Sequence, residues 1–233
     1  MDPDQLAKLV EESPHWAIEA HLEQLTPAQF DFCIRKEPKM GLYYSHICVE
    51  LSAEHFDFCC RMAPAYALRC GRSLSLELLE FCCEKEPGIA LTANHWGVPR
   101  LNLTKEQIKA CCRKSPGDAL TFVPDLMDDS LLKECARAEP AAALKFVGHR
   151  LGPALFAECA EAEPWEAITW CLVRLTDDEL VRYVAGAIEA IQKLRSSDPG
   201  HPLLFRLNVL RERLAPNLAE AAHYAILNIV RFD

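Results

Sequence analysis

The 233-residue chain has little glycine and no long apolar run. It contains nine glycines, whereas the usual frequency of about 7% gives about sixteen. No glycine-rich phosphate loop, serine-nucleophile motif or zinc-protease motif occurs, so we predict that the chain is not an enzyme. No run approaches the ~20 apolar residues of a membrane span, and the residues from Met1 lack the features of a secretory signal. These absences predict a cytoplasmic protein that does not bind membranes.

The chain is acidic. It has 25 Lys and Arg residues against 34 Asp and Glu residues, which gives a net charge of −9 at pH 7. Nucleic acids and anionic membranes attract positive charge, so neither is expected as a direct partner. Half of the residues are apolar and a quarter are charged, a balance that is typical of folded proteins rather than disordered ones.

A repeat covers most of the sequence. Seven prolines each have a large apolar residue thirteen positions earlier and Ile or Leu four positions later, as in Leu51, Pro64 and Leu68. The seven prolines are Pro14, Pro38, Pro64, Pro87, Pro116, Pro140 and Pro164. An eighth start, Leu175, has no matching proline. Successive starts lie 23 to 29 residues apart, most often 24.

Each repeat carries the signals of two helices. The residue after the start is usually an N-cap type, and Thr26, Thr104 and Thr176 have Gln or Glu three residues later, as in a capping box. Apolar residues then follow with helical spacing for about three turns, which predicts a first helix, helix A, that ends before the proline. Proline suits the first position of a shorter second helix, helix B, which is either α or 3₁₀.

The repeats predict an all-α fold, a right-handed-type α-solenoid of about seven helix pairs over residues 1–174. One pair cannot bury its own apolar face, so successive pairs must stack. Residues 175–233 are predicted to form a C-terminal helical cap, with helices over 176–195, 203–214 and 217–231.

Two places in the repeat depart from the pattern. The wider spacing between Leu74 and Leu103 predicts an insertion around residues 92–102, and insertions often lie on the binding face. No capping element precedes the first repeat, so we expect its outer face to be polar, covered by a partner or self-associated.

This layout resembles the α-helical repeat families over residues 1–174. It is similar to HEAT-like arrays in general and most closely to the leucine-rich repeat variant family, through the Leu, Pro and Leu register exemplified above. The chain departs from that family in lacking its Asn-Pro step and its N-terminal cysteine cluster for an iron–sulfur centre. The resemblance implies an interaction surface without a reaction.

Twelve cysteines occur, most of them in two neighbouring positions of helix A. Six share one position, and in the next position Cys alternates with Val, Ile and Ala, which predicts small buried apolar sites. Because stacked helices lie ~8–10 Å apart and no C-x-x-C pair exists, we predict reduced thiols without metal or cofactor, with metal or redox sensing as the alternative. Reduced thiols favour the cytoplasm. The eight histidines are scattered and are expected on the surface or at helix caps, with a catalytic role as the alternative.

We predict that the chain binds another protein, of unknown identity, through helix B. The second position of helix B and the position three residues later combine aromatic side chains with arginine, the composition of interface hot spots. The alternative is that packing between repeats buries these side chains. With two residues of the insertion, the predicted site comprises Trp16, Met40, Tyr43, Tyr66, Arg69, His95 and Trp96.

The alternative function is an acidic nucleic-acid mimic that inhibits a nucleic-acid-binding protein, as phage anti-defence proteins do. It is based on the net charge and on the glutamates that precede the repeat proline, Glu37, Glu86, Glu139 and Glu163. A further charged position lies near the end of helix A and contains Arg35, Arg61, Arg113 and Arg137. There we expect cations that complement the helix dipole, with a functional basic ridge as the alternative.

Overall fold

The computed structural model describes residues 1–47, 51–98 and 101–186, together with Lys193 and Ser197. Within these residues the chain is all α, with fifteen α-helices, four short 3₁₀ helices and no strand. It divides into two compact units, Met1–Val123 and Pro124–Asp233. In the described residues no helix combines the length and the apolar character that crossing a membrane requires.

Long and short helices alternate in the predicted register. The A helices have ten residues each and are α1 (Pro3–Glu12), α3 (Pro27–Lys36), α5 (Ala53–Met62), α7 (Leu76–Lys85), α9 (Lys105–Lys114), α11 (Asp129–Ala138) and α13 (Pro153–Ala162). The B helices are α2 (Pro14–His21), α4 (Pro38–Ile47), α6 (Pro64–Ala67), α8 (Pro87–His95), α10 (Pro116–Phe122), α12 (Pro140–Val147) and α14 (Pro164–Cys171). Helix B is therefore α, and a 3₁₀ turn follows it at Leu22–Gln24, Pro124–Leu126, Gly148–Arg150 and Leu172–Arg174.

The last described helix is α15 (Asp177–Gly186). It lies within the helix that the sequence predicts over 176–195. Most of the second half of that predicted helix is outside the described residues. The two further helices predicted over 203–214 and 217–231 also lie outside the described residues.

The helix boundaries have local causes. Thr26 and Thr104 form the predicted capping boxes, and Thr176 and Glu179 exchange the same pair of hydrogen bonds. Asp2, in contrast, precedes α1 without a side-chain capping bond. The residue before each repeat proline has φ between −148° and −129° and ψ between 60° and 70°. Proline excludes the helical conformation from the preceding residue, and helix A ends there.

The core of each unit is lined by two neighbouring positions of helix B. The residue four positions after each repeat proline is Ile or Leu and is at most 1% exposed: Ile18, Leu42, Leu68, Leu91, Leu120, Leu144 and Ile168. The residue before it is alanine in every pair except the second, where it is Gly41, and all seven are buried. The small side chains let the two helices of a pair approach closely, and the large ones fill the space between them.

Successive helices pack in order within each unit. In the first unit, α1, α3, α5 and α7 each contact the next A helix, while α4 contacts α6 and α8 contacts α10. In the second unit, α11 contacts α13, α12 contacts α14, and α14 contacts α15. Each A helix therefore packs against its own B helix and against a neighbouring A helix of the same unit.

The A-helix cysteines are buried as predicted, and three of their thiols also donate hydrogen bonds to the preceding repeat. The bonds run from Cys82 to the carbonyl of Cys60 at 3.9 Å, from Cys111 to that of Cys83 at 4.0 Å, and from Cys159 to that of Ala136 at 3.6 Å. Each of these carbonyls stands four residues before a repeat proline, which has no N–H to donate. A thiol is a weak donor, but it satisfies a buried acceptor that the proline leaves open.

Gly41 offers a test of this close packing. A Cβ at position 41 would lie 2.8 Å from Ile34 Cδ1 and 2.9 Å from Cys59 Sγ. We expect Gly41→Ala to lower the free energy of unfolding by about 1–3 kcal/mol, although alanine is the better helix former. Ile34→Val removes the Cδ1 atom, so the double variant Ile34→Val/Gly41→Ala should recover part of the loss in urea unfolding. If the stability losses of the two single substitutions simply added in the double variant, this would contradict a steric clash between the Cβ at position 41 and Ile34 Cδ1.

Candidate functional site

Most of the predicted partner-binding side chains lie on the solvent side of the B helices. Trp16, Tyr43 and Tyr66 are between 45% and 53% exposed, and Arg69 is also exposed. Met40 is half-buried. Packing between repeats, the alternative considered for these positions, therefore leaves the three aromatic side chains largely uncovered.

Two of these tyrosines belong to a tyrosine–cation cluster, which consists of Lys39, Tyr43, Tyr66 and Arg69. Lys39 and Tyr43 are one turn apart on α4, while Tyr66 lies on α6 and Arg69 follows that helix. The two helices pack against each other, and Lys39 Nζ lies 5.6 Å from the centre of the Tyr66 ring. At this distance the ammonium group and the ring attract each other. The sequence did not single out Lys39, although it stands one helical turn before Tyr43.

The predicted insertion presents Trp96 to solvent. The helix α8 ends in a Schellman arrangement, in which Gly97 has φ of +63° and the N–H of Val98 donates to the Ala93 carbonyl at 3.0 Å. Trp96 caps this helix end and is 72% exposed. His95 is exposed, and its ring centre lies 5.3 Å from that of Trp96 and 5.8 Å from that of Phe122. Pro99 lies outside the described residues.

The second unit contains an aromatic group that the sequence did not predict to be exposed. Lys145 Nζ on α12 lies 5.1 Å from the ring centre of Phe146 and 4.9 Å from that of Trp170 on α14. Trp170 Nε1 donates a hydrogen bond of 2.6 Å to Glu166 Oε2. Both rings are exposed. Their position in helix B suggested packing, yet Glu166 and Trp170 are spaced by four residues and share one face of α14.

The acidic positions have a structural cause. Glu37 and Glu86 lie in the first unit, and Glu139 and Glu163 lie in the second. Each ends an A helix with its N–H bonded to a cysteine carbonyl and directly precedes a B helix. The N-terminus of a helix favours negative charge, so glutamate suits this position without a partner. Glu139 is exposed and the other three are half-buried.

Three of the four arginines near the end of helix A, Arg35, Arg61 and Arg137, are engaged in ion pairs. Arg35 binds Asp31 at 3.0 Å, Arg61 binds Glu77 at 2.7 Å, and Arg137 binds Glu158 at 2.8 Å. The last two pairs join neighbouring A helices. The hydrogen bond from Arg137 lowers the pKa of Glu158. Exposed pairs of this kind contribute about 0–1 kcal/mol each. Their charge is largely compensated, which gives the alternative of a basic ridge little support.

Asp31 has a second basic neighbour, His55 on the next A helix. His55 Nε2 lies 2.7 Å from Asp31 Oδ1, and His55 is half-buried. The hydrogen bonds from His55 and then Arg35 lower the pKa of Asp31. His55 therefore joins two repeats. Its Nδ1 also lies 3.0 Å from Oγ of the N-cap residue Ser52, which agrees with the prediction of surface or cap histidines.

The outer side of the first helix is polar. Leu6 and Val10 are the buried residues of α1, whereas Lys8 and Glu12 are exposed and form an ion pair at 3.7 Å. A charged outer face agrees with the expectation that the outer side of the first repeat is polar. Self-association through the first repeat remains a prediction.

Two thiols line a shallow cleft between α7 and α9. The cleft has a volume of about 180 Å³ and is lined by Glu80, Cys83, Glu84, Gln107, Ala110, Cys111 and Lys114. Cys83 and Cys111 share a hydrogen bond, and this bond together with burial raises the pKa of Cys83. The helix spacing predicted no metal site or disulfide between stacked helices, and Cys83 and Cys111 are both free thiols. A protonated thiol is a poor nucleophile and a poor metal ligand.

The described residues contain no group of three or more His, Cys, Asp or Glu side chains placed to hold a metal ion. Comparison of the chain with known protein families, with curated proteins and with solved structures found no match. The exposed side chains of the B helices are therefore the main basis for a functional assignment.

Proposed function

We propose that the chain is a non-enzymatic protein-interaction module that binds another protein through the exposed side of its B helices. The observation that carries the proposal is the exposure of Trp16, Tyr43 and Tyr66 on that side, with Lys39 in contact with the Tyr66 ring. Aromatic side chains contribute strongly to binding when a partner removes them from water, and Trp, Tyr and Arg dominate interface hot spots.

The proposed architecture is a right-handed-type α-solenoid of seven helix pairs, similar to leucine-rich repeat variant and HEAT-like arrays. It is supported by the recurring register of the repeat prolines and by the ordered contacts between successive helices within each unit. Residues 175–233 are proposed as its cap. The reduced thiols favour a cytoplasmic location.

The double variant Tyr43→Ala/Tyr66→Ala tests the proposed surface. We expect it to weaken binding to a partner by at least about 10-fold, because exposed aromatics contribute affinity on desolvation. Thermal stability should change little, since both rings are about half exposed. The partner would first be captured from native lysate on the wild-type chain, and its affinity for the purified variants would then be measured by calorimetry.

The matched control is Phe32→Ala, which removes an exposed ring from the A helix α3. It should bind the partner with unchanged affinity. A tyrosine variant that melts early but binds normally would contradict the proposal. Trp96 with His95, or the glutamates before the prolines, would then be the surface to test.

A second candidate function is supported by the recurring glutamates. An acidic nucleic-acid mimic would bind its target through Glu37, Glu86, Glu139 and Glu163, and the net charge of −9 fits such a role. Charge reversal at Glu86 and Glu139 should then abolish the salt-dependent part of binding to a nucleic-acid-binding protein. The tyrosine variant should have no effect on that binding.

A further inference from the structure

Charge is unevenly distributed between the two helices of the second, third and fourth repeats. From helix B to the start of the next helix A, residues 64–76 and 87–104 contain no Asp or Glu, and residues 38–52 contain one, Glu50, which lies outside the described residues. The Lys and Arg residues of these three segments are Lys39, Arg69, Arg72 and Arg100. The first and fifth repeats differ, since their corresponding segments contain acidic residues such as Glu19 and Asp118.

Most of the carboxylates of these repeats are on or next to the A helices. Helix α5 contains Glu54 and Asp57, and helix α7 contains Glu77, Glu80 and Glu84. The three segments that include the B helices therefore contain four Lys and Arg residues and one acidic residue, in contrast to the net charge of −9 of the whole chain.

Within the described residues, the two cations of the tyrosine–cation cluster have no carboxylate partner. Among the described residues neither Lys39 nor Arg69 forms a salt bridge, whereas Arg35 and Arg61 on the A helices each bind carboxylates at 3.0 Å or less. Lys39 contacts the Tyr66 ring instead, and both Lys39 and Arg69 are exposed. The cluster thus combines exposed apolar surface with positive charge that lacks a counter-charge within the described chain.

We infer that this cluster binds an acidic segment of the partner protein, in which carboxylates alternate with apolar side chains. The inference rests on the proposed function and specifies the chemistry of the partner. The carboxylates would pair with Lys39 and Arg69, and the apolar side chains would cover Tyr43 and Tyr66. Charge-assisted hydrogen bonds to Arg are strong, and complementary charge fixes the register of two partners.

An acidic peptide fits this surface better than a nucleic-acid strand does. A phosphate backbone carries a negative charge at every nucleotide and requires a continuous row of cations. The cluster offers two separate cations, Lys39 and Arg69. A peptide can place its few carboxylates opposite the two cations and keep apolar side chains elsewhere.

Selection of random dodecapeptides displayed on phage, with the full-length chain immobilised, tests the inference. We expect the selected peptides to be enriched in Asp and Glu together with apolar residues. The best purified peptide should bind Lys39→Glu/Arg69→Glu about 10-fold or more weakly than it binds the wild-type chain, and its affinity should fall with added salt. Affinities would be measured by fluorescence anisotropy with the labelled peptide.

The matched control is Lys36→Glu/Lys85→Glu, which makes the same change in net charge on the A helices. It should retain the affinity of the wild-type chain for the peptide. An equal loss in this control would show that bulk charge controls binding and would overturn the inference. Circular dichroism of both variants would establish that their helices remain folded.

The remaining outcomes separate the inference from the proposed function. Selected peptides that bind Tyr43→Ala/Tyr66→Ala weakly but Lys39→Glu/Arg69→Glu normally would overturn the acidic specificity and retain the binding face. Peptides that bind both variants normally would overturn the two together. Enrichment of neutral or basic peptides, or no enrichment above an uncoated surface, would contradict the inference. Displacement of the peptide by labelled oligothymidylate at lower concentrations than an acidic peptide requires would assign the cluster to single-stranded nucleic acid instead.

Discussion

Leu91→Ala is expected to lower the free energy of unfolding by about 2–5 kcal/mol. Leu91 lies in α8, is fully buried, and belongs to the Ile and Leu position that lines the core. Its helix packs against α7, α9 and α10, so removal of the side chain leaves a cavity that several helices border. Urea unfolding followed by circular dichroism gives the magnitude.

The matched control is Leu76→Ala in α7, because Leu76 is 65% exposed while Leu91 is 0% exposed. The same chemical change at the exposed leucine should cost less than about 0.5 kcal/mol. Hydrogen exchange of the Leu91 variant should show the largest loss of protection in α7 to α10, because interactions in helical repeats are confined to neighbours. Similar losses of stability in the two variants would contradict the assigned core.

The order of the helices was predictable from the sequence because each repeat carries its own boundary signals. Thr104 and Gln107 cap the start of α9. Pro116 disfavours the helical conformation at Ser115, where α9 ends, and is itself the first residue of α10. These signals act within a few residues and do not depend on distant contacts. The length of helix B was predicted less accurately for α6, which ends at Ala67 after four residues, whereas the repeat pattern predicts seven or eight residues for helix B. A left-handed residue, Gly71 with φ of 68°, lies in the connection to α7.

Solvent exposure on helix B was harder to predict, because it depends on the neighbouring repeat. Tyr44, Phe122, Phe146 and Trp170 occupy the same repeat position, yet the first two are half-buried and the last two are exposed. The contact between Lys39 and Tyr66 likewise depends on how closely α4 and α6 pack. Residue type and spacing predict on which face of a helix a side chain lies, but they do not predict whether a neighbouring repeat buries that face.

The cysteines show the same division between local pattern and packing. Exchange of Cys with Val, Ile and Ala at one position predicted burial at both cysteine positions, which the structure confirms for Cys60 at that position and for Cys59 at the other. The hydrogen bonds from Cys82 and Cys159 to carbonyls that a proline leaves without a donor could not be predicted, because they depend on the distance between two helices. Alanine or valine at these positions could not form such bonds.

Buried thiols also predict a loss of stability at alkaline pH. Burial raises the pKa of Cys59, Cys82 and Cys159 to about 11 from an ordinary value of 9.0. In the unfolded chain these thiols ionise first, so the unfolded state gains free energy of ionisation that the folded state lacks. The stability that each thiol contributes is complete below pH 9 and is lost as the pH rises to about 11. Two pKa units correspond to at most about 3 kcal/mol for each thiol.

Urea unfolding in reducing buffer between neutral pH and pH 11 measures this effect, and Cys159→Ala isolates it from the titration of Lys and Tyr side chains. Between the two pKa values, each thiol that is protonated only when folded should make the free energy of unfolding fall by about 1.4 kcal/mol per pH unit. The Cys159→Ala variant should therefore show a shallower decline than the wild-type chain. Val147→Ala in the same unit removes a buried group that does not titrate, so it should lower stability equally at every pH. A decline that is equally steep in the cysteine variant and the wild-type chain would show that the Cys159 thiol ionises as readily when folded as when unfolded.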